Sequence, residues 1–303
     1  MEKIIVIAGP TGIGKTSFAI QCAARFNGEI VGADSMQIYQ YLDIGTAKPT
    51  ADELQQARHH LIDCIDPREE FDAGKYIALA DQAIADIVQN NKVPIVAGGT
   101  GLYIKALLHG LFRSKSICQD TLDRLEAELE RKGSLYLHQQ LSQYDPAAAR
   151  SIHPNDAFRV IRALEVYQST GQKLSEHQKA HNFFQNRYQA LKIGLNMDRE
   201  VLYQRINLRV DQMIGQGLLD EVRALNDRGF DFSLKPMQSI GYKHMGLYLS
   251  GKVSFEEAVT LLKRDTRRYA KRQFTWFRKD PEIIWFDPSD FESAAARIKE
   301  FLT

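Results

Sequence analysis

Residues 4–18 read IIVIAGPTGIGKTSF, and this stretch decides the fold. The run at 4–8 is apolar, mostly β-branched and too short for a helix, which is typical of a buried strand in a parallel sheet. The residues that follow fit G-x-x-x-x-G-K-[ST] at every fixed position, and they are Gly9, Pro10, Thr11, Gly12, Ile13, Gly14, Lys15 and Thr16. In such a loop, backbone N–H groups, a lysine and a hydroxyl face a polyphosphate and its Mg²⁺. We therefore predict a phosphate-binding loop (P-loop), with Thr16 as a ligand of Mg²⁺.

Strand and helix patterns alternate on both sides of a long helical segment. Short apolar runs predict further strands at 29–33, 93–97, 191–195 and 283–286. Helical spacing between them predicts an α/β fold with a doubly wound parallel sheet. From 114 to 187 apolar residues recur at helical spacing with no strand pattern. We predict a P-loop core made of residues 1–113 and 188–303, with a helical insertion domain at 114–187.

The composition excludes several classes of protein. Of the 303 residues, 44% are hydrophobic and 25% are charged, which are globular values rather than those of a disordered or fibrous chain. No apolar run is long enough for a membrane span, the N-terminus lacks a basic leader, and the three cysteines are widely separated. We expect a soluble cytoplasmic protein with no membrane partner.

Charge is distributed unevenly along the chain. The net charge is only +1, yet residues 263–279 (KRDTRRYAKRQFTWFRK) hold eight basic residues and one acid. A concentration of this kind favours nucleic-acid binding over a purely solvated surface, which is the alternative. For the aromatic residues Phe274, Trp276 and Phe277 we expect mostly core packing, and for His59 and His60 a structural role rather than metal binding.

An acidic residue follows the predicted strand at 29–33, at the ligand-binding edge of the sheet. Nucleotide-hydrolysing P-loop proteins usually place an aspartate after a second apolar strand, but VPIVAGGT (93–100) ends in glycines and threonine. EIVGAD (29–34) ends in an acid, which makes Asp34 the main strand-end carboxylate at the carboxyl edge where ligands of such folds bind. We interpret Asp34 as a group that orients a second substrate or takes its proton, with a turn cap as the alternative.

Eight sequence blocks together resemble one known family. In chain order they are GPTGIGKT (9–16), DSMQIY (34–39), DIGTAKP (43–49), HHLID (59–63), VAGGTGLY (96–103), HPND (153–156) followed by Arg159 and Arg162, QSIGYK (238–243) and KRQFTWFR (271–278). The chain resembles the bacterial-type tRNA dimethylallyltransferases, also called tRNA isopentenylpyrophosphate transferases, from residue 4 to about residue 279. It ends without the zinc finger of eukaryotic relatives, and we expect the bacterial type.

The resemblance implies a reaction and roles for several residues. The P-loop would hold the diphosphate of dimethylallyl diphosphate rather than ATP, with Mg²⁺ as the cofactor. The dimethylallyl group would go to N6 of adenine 37, beside the anticodon of tRNA. Asp34 would be the base at N6, Thr100 would lie near the leaving oxygen and the target nucleotide, and Arg209 would contact the diphosphate.

The resemblance also implies a set of contacts with the tRNA anticodon stem-loop by a monomeric enzyme. The residues are Asp34, Ser35, Met36, Gln37, Thr100, Arg124, Phe158, Arg159, Arg162, Gln238, Lys243, Lys271, Arg272, Gln273 and Arg278. Arg124 comes from a D-x-x-x-R pair with Asp120 that stands about two residues away from the family position. Arg159 and Arg162 are three residues apart and hence share one helix face.

Three other functions share part of this pattern. An enzyme that prenylates free adenine nucleotides would need the P-loop and Asp34, but neither the helical insertion nor the basic stretch. A small-molecule kinase would bind ATP, with Asp34 at the acceptor hydroxyl and a lid of arginines. A non-catalytic RNA-binding protein would leave the P-loop and Asp34 without a role.

Overall fold

A computed structural model describes residues 1–111, 119–181 and 186–303, and its centre is a six-stranded sheet. The strands are β1 (Lys3–Ala8), β2 (Gly28–Ala33), β3 (His59–His60), β4 (Val93–Gly98), β5 (Gln189–Leu195) and β6 (Ile284–Phe286). All strand pairs are parallel, and the order is β3-β2-β4-β1-β5-β6. The chain winds outward from β1 first toward β3 and later toward β6, which confirms the predicted doubly wound α/β fold.

The most buried strand is β1, at the middle of the sheet. Ile5 pairs with Ile95 of β4 on one side and with Leu191 of β5 on the other. Ile4, Ile5 and Ile7 are fully buried. A strand covered on both faces has no polar alternation, which explains the continuous apolar run in the sequence.

Helices connect and cover these strands. In the same part of the chain as the sheet they are α1 (Lys15–Phe26), α2 (Ala51–Gln56), α3 (Ala73–Gln89), α4 (Gly101–His109), α10 (Arg199–Gly215), α11 (Leu218–Asp227), α12 (Tyr242–Leu249), α13 (Phe255–Phe277) and α14 (Phe291–Leu302), with a 3-10 turn at Pro236–Gln238. Asp198 caps α10 by accepting from the N–H groups of Glu200 and Val201.

The chain divides into two compact units, one of Met1–Leu108 with Asn186–Thr303 and the other of His109–Gln185. The helices of the second unit are α5 (Gln119–Lys132), α6 (Ser134–Tyr144), α7 (Pro146–Ser151), α8 (Ala157–Thr170) and α9 (Leu174–His181). Leu125, Leu137 and Leu164 belong to its own apolar core. The described part of the insertion is thus helical. Its predicted start at residue 114 lies outside the described residues, and its predicted end at residue 187 is two residues beyond the end of the second unit.

Two short elements were not predicted. Helix α2 and the two-residue strand β3 carry too few residues to show a period. In β3, His60 lies beside Val31, and its Nε2 is 2.6 Å from the carboxylate of the buried Glu29. Within the described ranges, no cluster of three or more acidic, histidine or cysteine side chains is arranged to hold a metal ion.

In the described parts of the chain, no helix has the length and apolar content that crossing a membrane requires.

The ends of β2 and β4 approach so closely that only glycine fits at position 98. A Cβ atom on Gly98 would lie 2.1 Å from the carbonyl oxygen of Ala33. Overpacking typically costs about 1–3 kcal/mol, and a backbone oxygen in a sheet has little freedom to move aside. We expect Gly98→Ala to lower the free energy of unfolding by about 3 kcal/mol, measured by urea denaturation.

A matched control is Gly215→Ala at the end of α10, where an added Cβ would meet nothing within 4 Å. Its unfolding free energy should stay within about 0.5 kcal/mol of the wild-type value, as expected for a surface substitution. Equal denaturation midpoints for the two variants would contradict the close approach of β2 and β4.

Candidate functional site

The loop between β1 and α1 is bent by two glycines in left-handed conformations. Gly12 has φ 80° and Gly14 has φ 105°, a region that side chains with a Cβ rarely occupy. Space is also limited, because a Cβ on Gly12 would lie 2.9 Å from Cγ1 of Ile206. The loop leads directly into the N-terminus of α1 at Lys15, where unpaired backbone N–H groups favour an anion.

Lys15 supplies a half-buried positive charge to this loop. Its Nζ donates a hydrogen bond to the carbonyl oxygen of Pro10 at 2.8 Å. Burial lowers the pKa of Lys15 to about 8, the Asp34 carboxylate opposes that shift, and Arg209 adds to it. Lys15 is therefore protonated at neutral pH but has little surplus stabilisation of its charge, which an anionic ligand would supply.

Two arginines on α10 face the same loop. Burial lowers the pKa of Arg209, and the carboxylates of Asp34 and Glu53 partly offset the effect. One turn earlier, Nη2 of Arg205 lies 3.7 Å from the position that a Cβ on Gly14 would take. Arg205 was not among the predicted site residues, although its spacing of four residues from Arg209 places both on one helix face.

Asp34 follows β2 and organises a tight turn. Its Oδ1 accepts hydrogen bonds from the N–H groups of Met36 at 2.8 Å and Gln37 at 3.2 Å. The turn-cap interpretation is therefore correct for one oxygen. Among the described residues no donor bonds to Oδ2, so this oxygen is available for another partner while Oδ1 fixes the carboxylate.

Thr100 joins the ends of β2 and β4. Its Oγ1 accepts from the N–H of Ser35 at 3.1 Å, and its own N–H donates to the carbonyl oxygen of Ala33 at 3.1 Å. Tyr269 of α13 is hydrogen-bonded to Thr100, and burial followed by the nearby Asp34 carboxylate raises the pKa of Tyr269. Thr100 thus fixes the start of the turn that contains Asp34.

A single cavity of about 760 Å³ brings most of the predicted site residues together. Lys15, Thr16, Asp34 and Arg209 all line it. From the predicted tRNA contacts it also includes Ser35, Met36, Gln37, Gln238, Arg272 and Gln273. Every residue that lines the cavity belongs to the unit that contains the sheet.

Gln273 connects two loops at the cavity. Its side chain is buried, and its amide bonds to the backbone of both loops. Oε1 accepts from the N–H of Thr11 at 2.8 Å, and Nε2 donates to the carbonyl oxygen of Gly99 at 2.9 Å. Gln273 therefore holds the P-loop beside the loop after β4, and its predicted contact with tRNA stays a prediction.

More of the positive charge of the basic stretch is paired with acidic side chains than its composition indicated. Lys263 pairs with Asp211 at 2.6 Å, and Arg264 pairs with Asp265 at 2.9 Å. Arg268 reaches the same Asp265 at 3.6 Å but stays largely exposed. The exposed side chains include Lys271, Arg272 and Arg278, and they carry the positive surface of α13.

The aromatic residues of this stretch mostly pack inside the protein. Phe277 is buried, and the ring of Phe274 lies 6.2 Å from that of Trp285. Trp276 is 40% exposed, but its indole covers Gly101, where a Cβ would lie 2.1 Å from Cδ1. These contacts agree with the expected core packing.

Most of the remaining predicted tRNA contacts do not line the cavity. In the second unit, Arg124 donates to Gln168 at 2.8 Å, Arg159 pairs with Asp156 at 2.7 Å, and Arg162 pairs with Glu165. Phe158 is 81% exposed at the start of α8, an unusual position for a large aromatic side chain. In the first unit, Lys243 is half-buried in the first turn of α12, and the Gln238 amide donates to the carbonyl oxygen of Phe232.

The residues around the P-loop fit a magnesium ion that is shared with a diphosphate. Mg²⁺ prefers hard oxygen ligands and usually takes most of them from phosphates and water rather than from a protein cage. Thr16 offers a half-buried hydroxyl on the cavity wall at the N-terminus of α1. One hydroxyl beside an anion-binding loop is sufficient for this mode of binding.

The pKa of Lys15 predicts how anion binding depends on pH. The protonated lysine attracts phosphate, so affinity for inorganic diphosphate should fall as the pH rises through about 8. Isothermal titration calorimetry at several pH values measures this loss. The side chain in Lys15→Arg stays charged over the whole pH range, so the affinity of this variant for diphosphate should not fall near pH 8. Parallel profiles for the two proteins would contradict the assignment of Lys15 to the anion.

Comparisons with known proteins agree on one family. A model of the family described as IPP transferase matches residues 37–280. The chain is 52% identical over 301 residues to a tRNA dimethylallyltransferase of Desulfosudis oleivorans, and the alignment covers 99% of this chain and 96% of that protein. A tRNA dimethylallyltransferase of Acetivibrio thermocellus is 50% identical over 300 residues, with 99% and 96% covered.

Two solved structures extend the match to the fold. The crystal structure of a full-length tRNA isopentenylpyrophosphate transferase from Bacillus halodurans aligns with a TM-score of 0.72 and 44% identity, covering 100% of this chain and 96% of that one. A eukaryotic dimethylallyltransferase solved acting on tRNA aligns with a TM-score of 0.82 and 33% identity, over 96% of this chain and 75% of that one. The chain belongs to the IPP transferase family, that of the tRNA dimethylallyltransferases.

Proposed function

We propose that this chain transfers the dimethylallyl group of dimethylallyl diphosphate to N6 of adenine 37, beside the anticodon of tRNA, and releases diphosphate. The observation that carries the proposal is one cavity in which an anion-binding loop and two half-buried cations, Lys15 and Arg209, lie beside the carboxylate of Asp34. Family membership supports the same reaction.

On the diphosphate side, the bond between C1 of the dimethylallyl group and the diphosphate oxygen breaks. The electron pair leaves with the oxygen, and positive charge develops on the allylic group. Lys15, Arg209 and the N–H groups at the start of α1 offset the negative charge of the leaving group. Held in one cavity, the two substrates also react without the entropic cost of a bimolecular encounter.

On the acceptor side, Asp34 takes a proton from N6. The nitrogen lone pair of adenine is delocalised into the ring, which makes N6 a weak nucleophile that benefits from a general base. Oδ1 stays bonded to the N–H groups of Met36 and Gln37, so Oδ2 is the oxygen assigned to the proton. Thr100 acts by holding Ser35 and hence the start of this turn.

Magnesium fits this scheme as a partner of the diphosphate, with Thr16 as the protein ligand. When bound, the ion neutralises charge on the diphosphate and makes it a better leaving group.

For tRNA, we propose contacts from the exposed basic side chains of α13 and from the insertion domain. Adenine 37 must leave its stacked position to reach Asp34, at a cost of a few kcal/mol that a single-stranded loop reduces. Phe158 offers an exposed ring for stacking, and Arg159 lies next to it. All proposed groups lie in one chain, which supports activity as a monomer, and a tRNA substrate supports a cytoplasmic location.

The competing functions differ in their acceptor. A free-nucleotide prenyltransferase would modify AMP, and a small-molecule kinase would consume ATP. Radiolabelled dimethylallyl diphosphate, incubated with the protein and with either unmodified tRNA or AMP, tests the proposal. We expect label in tRNA alone, and label in AMP alone would overturn it.

In the same assay, Asp34→Asn tests the base. Asparagine keeps an oxygen that can accept from Met36 and Gln37, so the turn should persist, but it cannot take a proton. Loss of a general base costs about 10²–10⁴-fold in rate, and we expect kcat to fall in that range while tRNA affinity stays nearly constant. A kcat close to the wild-type value would make Asp34 a turn cap only.

The basic surface of α13 predicts a salt dependence. Lys271 is exposed, and if it meets a phosphate, Lys271→Ala should flatten the plot of log K for tRNA against log salt by somewhat under one unit. Catalysis at saturating tRNA should change little. Lys299→Ala, on the exposed side of α14, is the matched control and should leave the slope unchanged. Equal slopes for both variants and the wild type would remove α13 from the tRNA interface.

A further inference from the structure

Two of the family-like sequence blocks meet at a residue that belongs to neither of them. The block at 43–49 (DIGTAKP) forms a loop, and the block at 238–243 (QSIGYK) leads into α12. Between them stands Glu221 in the first turn of α11. Its carboxylate accepts from the N–H groups of Ile44 at 2.8 Å and of Asp43 and Gly45 at 3.2 Å each.

A fourth donor completes this arrangement. The hydroxyl of Tyr242 donates to Oε1 of Glu221, and burial followed by the Glu221 charge raises the pKa of Tyr242, which keeps the hydroxyl a donor. The Tyr242 ring packs so closely against the loop that only glycine fits at position 45, because a Cβ on Gly45 would lie 2.4 Å from Cε2 of Tyr242. One carboxylate with four donors is a strong anchor, since hydrogen bonds to charged groups contribute about 1.5–3 kcal/mol each.

The anchored loop in turn holds a side chain at the reaction site. Nε2 of Gln37 donates to the carbonyl oxygens of Ala47 at 2.9 Å and Thr46 at 3.1 Å. Gln37 also donates its own backbone N–H to Oδ1 of Asp34. Gly45, Thr46 and Ala47 line the cavity themselves. A continuous series of hydrogen bonds therefore runs from Glu221 through the loop and Gln37 to Asp34.

The loop needs such an anchor because part of it is strained. Ala47 in the loop has φ 50°, a conformation that costs a residue with a Cβ about 1–2 kcal/mol. Strained backbone persists only where surrounding contacts determine it. Lys48 adds to these contacts by pairing with Asp43 at 2.7 Å and with Asp63.

We propose that Glu221 is a positioning residue for the acceptor side of the reaction, which holds the 43–49 loop and, through Gln37, the carboxylate of Asp34 in place. This inference rests on the proposed function. It assigns the 43–49 block, for which the sequence offered no chemistry, to the alignment of the acceptor rather than to the diphosphate.

The test compares Glu221→Gln with Asp220→Asn. Either orientation of a glutamine amide sets one NH₂ group against backbone N–H groups of the loop, whereas Asp220 is exposed and pairs with Arg223 of its own helix. In Glu221→Gln the one remaining oxygen can serve either the Gly45 N–H or those of Asp43 and Ile44. We therefore expect at least one backbone amide of residues 43–45 to exchange with deuterium at least about tenfold faster, because its acceptor is lost. Asp220→Asn should exchange like the wild type.

Kinetics then separate positioning from general damage. A small displacement of a catalytic group costs up to about 10²-fold, so kcat for transfer to tRNA should fall by about 10- to 100-fold in Glu221→Gln. The KM for dimethylallyl diphosphate should stay within about twofold, because among the described residues no hydrogen bond joins the P-loop to Glu221, the 43–49 loop or Gln37. If Glu221→Gln does not fold, Tyr242→Phe removes a single donor and should show the same selective loss with a smaller magnitude.

A double variant adds a readout that a merely structural role would not move. If Glu221 acts through Gln37, then Glu221→Gln combined with Gln37→Leu should be no slower than the worse single variant. Multiplied losses, an equal rise in the KM for dimethylallyl diphosphate, or unchanged exchange at 43–45 would each overturn the inference. Absence of any transfer to tRNA by the wild-type chain would instead overturn the proposed function, and the exchange data would still report whether Glu221 anchors the loop.

Discussion

Two half-buried cations, Lys15 and Arg209, beside one carboxylate are the constraint on which the site depends. Burial lowers the pKa of both Lys15 and Arg209, and the charge of Asp34 only partly compensates them. A buried charge is costly unless it is paired, so the cavity favours an additional anion. A diphosphate at the start of α1 would meet that requirement. Its departure with the electron pair of the broken bond then places new negative charge where these cations already stand.

The backbone is arranged to make this grouping possible. Gly12 and Gly14 give the P-loop its turn, and Gly98 allows the ends of β2 and β4 to meet beside it. Gln273 ties the loops after β1 and β4 to α13 with both ends of its amide. Because the carboxyl ends of parallel strands share one edge of the sheet, residues that are far apart in the chain reach one cavity.

Local signals explain what the sequence could predict. The strand at β1, the P-loop and the acid at the end of β2 are encoded by consecutive residues, and the cap at Asp198 lies next to the helix it begins. The strand β3 has two residues and therefore no period. Gln273 bonds to Gly99, and Glu221 bonds to Ile44, each more than 170 residues away in the chain. Neither contact can be predicted from the residues next to it in the sequence.

The surface charge of the basic stretch (residues 263–279) also depends on partners that the local sequence does not show. Eight basic residues and one acid predict a strongly positive surface, yet Asp265 serves Arg264 and Arg268 together, and Asp211 of α10 neutralises Lys263. What remains is a smaller positive face that includes Lys271 and Arg272. Screening in water weakens exposed ion pairs, so a partly paired arginine such as Arg268 still attracts phosphate.

The two halves of the cavity are supported by separate sets of contacts that meet at Asp34. The diphosphate half is built from α1, α10 and Gln273, whereas the acceptor half is built from the turn after β2, the 43–49 loop and Glu221. Thr100 links the two, because it bonds Ser35 and follows the Gly99 carbonyl held by Gln273. Transfer requires both substrates to be aligned within a fraction of an ångström, and separate supports allow each to be bound without distorting the other. The two sets of contacts meet at Asp34. In the proposed reaction, this carboxylate acts on the acceptor beside the negative charge of the diphosphate.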